Sequence, residues 1–510
     1  MDFATINRLL EKYELENPVD NWELHGIKVW PIIRLLFINN PLGAANNPGW
    51  KLEQSSDPTG RGFFLTHYAG ALRRLKAGLQ QESQANRELR KRDIPNAEVI
   101  ILTHSDRMLW NGSQYYNTIV DPWIERFASE GIATAVLTTG KPKENAQFAH
   151  FRLQERFELI SIIANYRTRL YLTANPRVPQ WYREFQDYQI REIGGAISWK
   201  KLVDKVFRVK GFSEYFTKLV RSSKAKLFMI DTWYSPYGLA AILSARRAGI
   251  ESIDLQHGVQ DYSHLAYSYW HKKSDGKNSV QPDRYWLWGD RNAAERLENN
   301  RDFLKPEMLF VGGNLWINKW RNPDGDFFSD AFKTLDDLRA GTERLIVVTL
   351  QTNVPFKEQL AELIRLSPPG WMWMLRPHRS QKESHEEIEK AFKGITTHRV
   401  NVADAASLPL YCLLQRADLH MTWYSTCAQE AIAFKTPSVL LSERGKICYL
   451  DYVESGLMSE LERPEDFVPM CNRLFEIDWR QHQQEIDSSF VDPARSDSEI
   501  ARLIKLIRPL

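Results

Sequence analysis

Asp231 and His257 are the residues of the first half of the chain whose types and positions best suit chemistry. Asp231 closes one short apolar run, and His257-Gly258 closes the next. In open α/β sheets, ligands bind beyond the carboxyl ends of the strands. A carboxylate there can act as a base or a nucleophile, and a histidine before glycine can hydrogen-bond to a substrate that approaches the backbone closely. The alternative for Asp231 is the N-cap of a helix over 238–249, from which residues 232–236 separate it.

Polar side chains also follow three strands predicted in the second half. They are Gln351-Thr352-Asn353, Arg376-Pro377-His378, and Ser425-Thr426 with Glu430 one helical turn later. Hydroxyls at a helix start can bind an anion together with the free N–H groups there, and arginine and histidine from the neighbouring strand can bind the same phosphate. Glu430 can accept hydrogen bonds from a ribose diol. A simple N-cap is the alternative for Ser425 and Thr426, but the three strand ends together favour a nucleotide site.

Other candidates are less specific. Glu155 and Glu158 lie three residues apart on one predicted helix face, where one can serve as the general base for an acceptor, although a surface carboxylate pair is the favoured interpretation. His104 and Asp106, after the first strand, are further candidates for the cleft. No GxGxxG or GxxxxGK[ST] motif occurs, which argues against dinucleotide enzymes and P-loop phosphotransferases. No DxD-type motif stands out, so we expect neither a metal nor another cofactor.

Two successive series of alternating strands and helices must position these residues. Short apolar runs predict the strands of the first series at 97–105, 133–140, 226–231, 250–258, 283–290 and 307–314. The pattern restarts after a linker near 315–342, with strands at 343–353, 371–378, 418–426 and 437–442. Alternation of this kind predicts parallel, doubly wound sheets. The expected fold class is therefore α/β of the GT-B type, with two Rossmann-like domains facing a cleft and an N-terminal helical extension.

The length of 510 residues exceeds what one hydrophobic core usually supports. We predict the helical extension over 1–95, a Rossmann-like acceptor and catalytic domain over 96–320, a Rossmann-like nucleotide-binding domain over 321–490, and a terminal helix over 491–510 that packs back on the first domain. Within the extension, 25–40 predicts an apolar helix. The aromatic and basic stretch 63–79 predicts an amphipathic helix, favoured as a packed surface helix, with an anionic membrane surface as the alternative.

Charge and cysteine content argue against several classes of protein. The 67 basic and 64 acidic residues leave a net charge of +3, too balanced for a protein that binds nucleic acid by neutralising phosphates. The four cysteines lack CxxC spacing, so we expect buried thiols rather than disulfides or zinc ligands. The N-terminus does not resemble a signal peptide, and no apolar stretch is long enough to span a bilayer. We expect a cytoplasmic protein, with peripheral contact at the inner membrane as an alternative left open.

Several short motifs carry a family resemblance that covers most of the chain. The segments IDLQHG, DRYWLWGD, LFVGGN, LRPH and WYSTCAQEAIAFKTPSVLL resemble bacterial capsule and lipopolysaccharide glycosyltransferases of GT-B fold, which include Kdo transferases, polysialyltransferases and polyglycerol-phosphate polymerases. The opening VDNWELHGIKVWPIIR, and the aspartate that closes the strand before QHG, look closest to the retaining β-Kdo transferases of glycosyltransferase family 99.

The resemblance implies a CMP-β-Kdo donor and a lipid-linked glycan acceptor in O-antigen or capsule synthesis. It implies that Asp231 attacks the anomeric carbon and that an acceptor hydroxyl then displaces it, with net retention. His378, Ser425 and Thr426 would hold the CMP phosphate, and Glu430 the ribose. A polymerase that transfers glycerol phosphate from CDP-glycerol, a sialyltransferase of the same fold, and a non-catalytic sugar-nucleotide-binding scaffold remain the alternatives.

Overall fold

The computed structural model describes residues 3–39, 96–110, 113–140, 143–274, 276–321, 328–352, 354–378, 381, 383–392 and 399–508. The helix predicted at 63–79 and the candidate Asn353 lie outside the described residues, as does the side chain of Glu155. Among the described residues, no helix is both long enough and apolar enough to cross a bilayer.

The N-terminal segment is a compact layer against the first large domain. It contains the helix Phe3–Glu16, the two-stranded hairpin β1 (Glu23–Leu24) and β2 (Ile27–Lys28), and the helix Trp30–Leu36. The apolar helix predicted within 25–40 is therefore shorter than expected, because the chain turns at His25-Gly26, both at positive φ, before the helix begins.

The first large sheet consists of seven parallel strands. They are β3 (Val99–His104), β6 (Thr134–Thr139), β7 (His150–Arg152), β8 (Leu227–Ile230), β9 (Glu251–Leu255), β10 (Arg284–Leu287) and β11 (Leu309–Val311). Their order in the sheet is β11-β10-β9-β8-β3-β6-β7. Between β3 and β6 along the chain, the strands β4 (Met108–Trp110) and β5 (Tyr115–Asn117) form a separate antiparallel hairpin.

The second large sheet is also parallel. Its strands are β12 (Arg344–Thr349), β13 (Trp371–Arg376), β14 (Arg399–Asn401), β15 (Leu419–Thr422), β16 (Ser438–Leu440) and β17 (Met458–Glu460). Their order in the sheet is β14-β13-β12-β15-β16-β17. In both sheets the first strand lies inside, the chain winds outward to one side, and it then returns to wind outward on the other. This is the doubly wound order of a Rossmann-like domain. The two predicted α/β domains are confirmed.

Helices cover both sheets, which is why their strands read as almost continuous apolar runs. In the first domain the helices are Asp121–Ser129, Gln154–Ala174, Gln180–Tyr188, Trp199–Ser223, Pro236–Ala248 and Asp290–Glu298. Those between the sheets and around the second sheet are Leu315–Arg321, Ser329–Arg339, Lys357–Leu366, His385–Phe392, Ala403–Ser407, Leu410–Arg416, Cys427–Ala433, Glu443–Cys448, Leu450–Glu454, Phe467–Phe475 and Gln483–Ser489. The stretch interpreted as a linker near 315–342 therefore contains two helices.

The last helix, Pro493–Ile507, crosses back to the first domain. Its buried side chains Ile500, Leu503 and Ile507 share one apolar cluster with Val99 and Leu227 of the first sheet. The chain thus ends on the domain in which its first sheet forms, and this contact ties the two domains together independently of the cleft.

The four cysteines are free thiols. Cys412 and Cys471 are buried, as expected, whereas Cys427 and Cys448 are half-buried. Within the described residues, no three His, Cys, Asp or Glu side chains gather as they would around a metal ion.

Candidate active site

Asp231 lies where the strand order of the first sheet reverses. β8 pairs with β3 in a register that sets Leu102 beside Ile230, so the next residues, Thr103 and Asp231, are neighbours beyond the pairing. This point between β3 and β8 is where doubly wound sheets bind their ligands. The structure therefore places Asp231 at a strand end, as predicted, and at the point where the strand order of the sheet reverses.

Hydrogen bonds fix one oxygen of the Asp231 carboxylate. Thr103 Oγ1 donates to Asp231 Oδ2 at 2.7 Å, and the backbone N–H of His104 donates to the same oxygen at 3.3 Å. Asn117 Nδ2 in turn donates to Thr103 Oγ1 at 3.2 Å, which orients the hydroxyl toward Asp231. The carboxylate is 3% exposed. Its described side-chain hydrogen bonds all go to Oδ2.

The N-cap alternative for Asp231 is excluded by the next turn of chain. The helix Pro236–Ala248 is capped by Ser235, whose hydroxyl accepts from the N–H of Gly238 at 2.9 Å. The intervening loop instead packs inward, with Trp233 buried at its centre. Asp231 is therefore a buried carboxylate without a capping role.

His257 forms a neutral pair with Tyr234. His257 Nδ1 lies 3.3 Å from the Leu255 carbonyl oxygen, which can only accept, so Nδ1 carries the proton and Nε2 accepts from the Tyr234 hydroxyl at 3.2 Å. Burial, and then the nearby guanidinium of Arg107, lower the pKa of His257 to about 3. His257 is thus a neutral hydrogen-bonding residue at physiological pH and a weak proton acceptor.

Arg107 and Tyr234 are parts of this cleft that the sequence alone did not single out. Arg107 ends the short 3₁₀ turn Ser105–Arg107 after β3, and its charge acts on both Tyr234 and His257. Burial raises the pKa of Tyr234 to about 12, so the phenol stays a donor. Arg107 Nε lies 3.9 Å from Asp106 Oδ1, and a position just after a predicted strand is the signal that could have identified Arg107.

The candidates His104 and Asp106 form an exposed pair at the same strand end. His104 Nδ1 lies 2.8 Å from Asp106 Oδ1, with both side chains about half exposed. The hydrogen bond to Asp106 raises the pKa of His104, opposed by partial burial. These two residues border the cleft but share no described hydrogen bond between their side chains and Asp231.

Asp254 is a second buried carboxyl that the sequence analysis did not identify. It belongs to β9, one strand away from Asp231, and its Oδ1 accepts from the N–H of Trp233 at 3.3 Å. Burial raises the pKa of Asp254 to about 7, and the negative charge of Asp231 acts in the same direction. Asp254 therefore keeps its proton to a much higher pH than an ordinary aspartate does, and it anchors the loop that follows Asp231.

Asp254 makes a pH dependence testable. Because burial raises its pKa, the folded state keeps a proton that the unfolded chain loses between about pH 4 and pH 7. The contribution of Asp254 to the free energy of unfolding is therefore full at low pH and is lost as the pH rises through this window. In Asp254→Asn, whose amide oxygen can still accept from Trp233, this loss should be absent.

Urea titrations followed by tryptophan fluorescence would measure the difference in unfolding midpoint between Asp254→Asn and wild type. We expect that difference to shift in favour of the variant as the pH rises from about 5 to about 8. The histidines with lowered pKa, His257 and His264, titrate in both proteins and cancel in the difference. A difference that does not change with pH would show that Asp254 is ionised throughout.

The second sheet presents its own reversal point at β12 and β15. Their register sets Val348 beside Met421, and three residues further on Gln351 Oε1 accepts from the N–H of Tyr424 at 3.0 Å. Gln351 thus shapes the loop that leads to Ser425. The Ser425 hydroxyl accepts from the N–H of Cys427 at 3.3 Å, so it serves the start of the helix Cys427–Ala433.

Thr426 connects the two domains. Its side chain makes no N-cap hydrogen bond; instead Thr426 Oγ1 accepts from the N–H of Val259, two residues after His257, at 3.3 Å. A Cβ on Gly258 would stand 3.3 Å from the same oxygen, so glycine allows this close approach. The carboxyl edges of the two sheets therefore face each other, and His257 and Thr426 lie on opposite sides of one cleft.

The other residues predicted to bind the nucleotide differ in how far their side chains are already occupied by contacts within the protein. Glu430 Oε1 accepts from the Tyr411 hydroxyl at 2.8 Å. Arg376 Nη1 donates to the carbonyl oxygens of Ala405 and Leu408, each at 2.6 Å, so part of its guanidinium supports the fold. His378 is exposed two residues after β13.

Glu158 is exposed near the start of the helix Gln154–Ala174. Burial raises the pKa of Tyr237, and the charge of Glu158 contributes, so the two residues are near neighbours. Tyr237 follows the Asp231 loop directly. Glu158 therefore lies on the rim of the first domain, and no described hydrogen bond joins it to Asp231.

Comparisons with known proteins support the fold. No family model matches the chain, and no curated protein matches it. A putative UDP-N-acetylglucosamine 2-epimerase from Listeria monocytogenes has a similar structure, with 11% identity over 81% of this chain and 98% of that chain and a TM-score of 0.50. UDP-GlcNAc 2-epimerase from Neisseria meningitidis, solved with UDP-GlcNAc, has 12% identity over 80% and 99% and a TM-score of 0.48. The wall teichoic acid polymerase TagF has 11% identity over 86% and 98% and a TM-score of 0.44. The predicted GT-B fold is confirmed.

Proposed function

We propose that this chain is a retaining glycosyltransferase that moves Kdo from CMP-β-Kdo to a lipid-linked glycan of the bacterial surface, in O-antigen or capsule synthesis. The position of Asp231 carries the proposal. It is a buried carboxylate at the reversal point of the first sheet, and Thr103 and the N–H of His104 hold one of its oxygens. The sequence resemblance supports Kdo as the transferred sugar.

The chemistry is a double displacement. Asp231 Oδ1 forms a bond to the anomeric carbon as the bond to the CMP phosphate oxygen breaks and CMP leaves with that electron pair. An acceptor hydroxyl then attacks the same carbon, gives its proton to a base, and releases the Asp231 carboxylate. Two inversions give retention, as in retaining glycosidases. The hydrogen bonds from Thr103 and the His104 N–H keep Oδ2 in place, so little reorganisation accompanies the attack.

The second domain is proposed to hold the nucleotide. Gln351, Ser425 and Thr426 lie at its reversal point, and Glu430 follows within one helical turn. In this proposal Glu430 accepts from the ribose, and Arg376 and His378 at the neighbouring strand end balance the charge of the departing phosphate. Arg107, on the opposite side of the cleft, suits the negative charge of a sugar carboxylate.

The protonation state of His257 bears on the alternative reaction, the transfer of glycerol phosphate. A glycerol phosphate transfer from CDP-glycerol would use a histidine as the base and would form no covalent sugar. His257 is neutral, but burial lowers its pKa to about 3, which makes it a weak proton acceptor. This observation favours the route through Asp231, in which His257 only hydrogen-bonds.

Intact-protein mass spectrometry tests the proposal. Incubation with CMP-Kdo in the absence of acceptor should add the mass of one Kdo residue to the wild-type chain, and peptide mapping should locate it on Asp231. Asp231→Asn should stay unmodified under the same conditions. If the wild-type protein transfers Kdo but is never found modified, the covalent intermediate on Asp231 is wrong. If nucleotide is released only from CDP-glycerol or only from CMP-sialic acid, that compound and not CMP-Kdo is the donor.

A further inference from the structure

The helix Gln154–Ala174 carries an exposed apolar stripe. Ile163, Tyr166 and Leu170 are 37%, 53% and 52% exposed. Their spacing of three and four residues sets them on one face of the helix. The opposite side is packed, with Phe157 and Ala164 buried in the core of the first domain. Large apolar side chains gathered on one exposed face commonly mark a contact surface.

The part of the helix that carries the stripe is basic. Residues 159–174 contain no aspartate or glutamate but two exposed arginines, Arg167 and Arg169. The acidic residue Asp204 on the adjoining helix is paired with Arg208 at 2.7 Å, and Arg208 also donates to Asn165 of the stripe helix at 3.0 Å. The surface is therefore apolar with a basic border.

This surface begins at the rim of the cleft. The N–H of Leu153, just before the helix, donates to the Thr138 carbonyl oxygen at the end of β6, and Phe157 stacks on Tyr237 at 4.4 Å beside the Asp231 loop. At 1.5 Å per residue, the stripe starts roughly 8 Å beyond Glu158 along the helix axis. A contact through the stripe would bring the cleft close to whatever the stripe binds.

We propose that the Ile163–Tyr166–Leu170 stripe docks the protein on an anionic phospholipid bilayer. Apolar side chains that enter the headgroup region, an interfacial tyrosine, and bordering arginines form the combination that holds a helix parallel to such a surface. A symmetric contact with a second copy of the chain would bring the same arginines face to face, so the basic border favours lipid over self-association. The inference concerns a surface outside the cleft and stands without the proposed donor.

Vesicle co-sedimentation of the full chain tests it. Wild-type protein should bind vesicles of phosphatidylglycerol and phosphatidylethanolamine more tightly than vesicles of phosphatidylcholine. The double variant Tyr166→Ser with Leu170→Ser should weaken binding to the anionic vesicles by about tenfold or more. The double variant Arg167→Gln with Arg169→Gln should weaken the same binding by about fivefold for each arginine removed. Leu366→Ser, which changes a 46% exposed leucine of the second domain, is the matched control and should bind as wild type does.

Circular dichroism and nucleotide release from the donor in solution should be unchanged in all these variants, so weaker sedimentation reports the surface and not the fold or the cleft. Wild-type protein that does not sediment with anionic vesicles would overturn the inference. Stripe variants that bind like wild type would also overturn it, because another part of the chain would then make the contact. A concentration-dependent dimer that the stripe variants abolish, with vesicle binding intact, would reassign the stripe to self-association.

Discussion

Asp231→Asn should lower kcat for transfer by at least about 10³-fold, because the amide cannot form the glycosyl ester. The change keeps the size of the side chain. The new amide oxygen can still accept from Thr103 Oγ1 and the His104 N–H, which now hold Oδ2 at 2.7 and 3.3 Å. We therefore expect a folded protein that binds the donor with a KM close to that of wild type and does not turn it over.

Two further variants make this result specific. Asp231→Ala removes the carboxylate and leaves space for a small anion, so azide should partly restore donor consumption and yield an azido sugar. Asp106→Asn removes a carboxylate that is 57% exposed at the same edge of the sheet, and we expect it to retain activity within about tenfold. Equal losses in Asp106→Asn and Asp231→Asn, or full activity in Asp231→Asn, would contradict a nucleophilic Asp231.

Arg34→Met should lower the free energy of unfolding by about 3–5 kcal/mol, because it leaves a buried carboxylate without its partner. Arg34 and Glu14 are both fully buried and paired at 2.9 Å. Burial lowers the pKa of Arg34, and the charge of Glu14 opposes that shift. Arg34 also donates to the carbonyl oxygens of Ser268 and Tyr269. Methionine would fill much of the volume and satisfy none of these acceptors.

The measurement is the urea midpoint by tryptophan fluorescence, because the Arg34 guanidinium lies 4.1 Å from the ring of Trp270. Arg480→Met, at a side chain that is 90% exposed, is the matched control and should change stability by less than about 0.5 kcal/mol. Adding Glu14→Gln to Arg34→Met should recover part of the loss, since it removes the unpaired charge. Equal stabilities of Arg34→Met and Arg480→Met would show that the buried pair does not hold the N-terminal segment.

This pair also links the N-terminal segment to the cleft. Glu14 accepts from the N–H groups of His271 and Lys272 at 3.0 and 2.6 Å, so the two charges together hold residues 268–272. The same stretch of chain, beginning at His257, crosses toward the second domain. The opening segment, which ends at Arg34, therefore has a structural role, namely fixing the far end of the loop that starts at the strand end of β9.

The sequence predicted the central strands well because they are buried on both faces. Runs such as 97–105 and 343–353 are apolar almost throughout and end in polar residues, and β3 and β12 lie within them. The edge strands β7, β14 and β17 were not predicted. Each has three residues and only partial burial, so neither length nor periodicity distinguishes them from loops; only pairing with a neighbouring strand makes them part of the sheet.

The sequence by itself determined two doubly wound domains and the positions of Asp231 and His257 at strand ends. Strands buried on both faces consist of consecutive apolar residues, and the polar residue that ends each such run can be recognised in the sequence. The tertiary structure decided which of these residues meet. Thr103 reaches Asp231 through strand pairing over 128 positions, and Thr426 reaches Val259 over 167. It also decided that Asp254, inside a strand, keeps a proton, since desolvation depends on neighbours that are distant in sequence. Contacts and pKa values of this kind depend on three-dimensional distance, which no local pattern records.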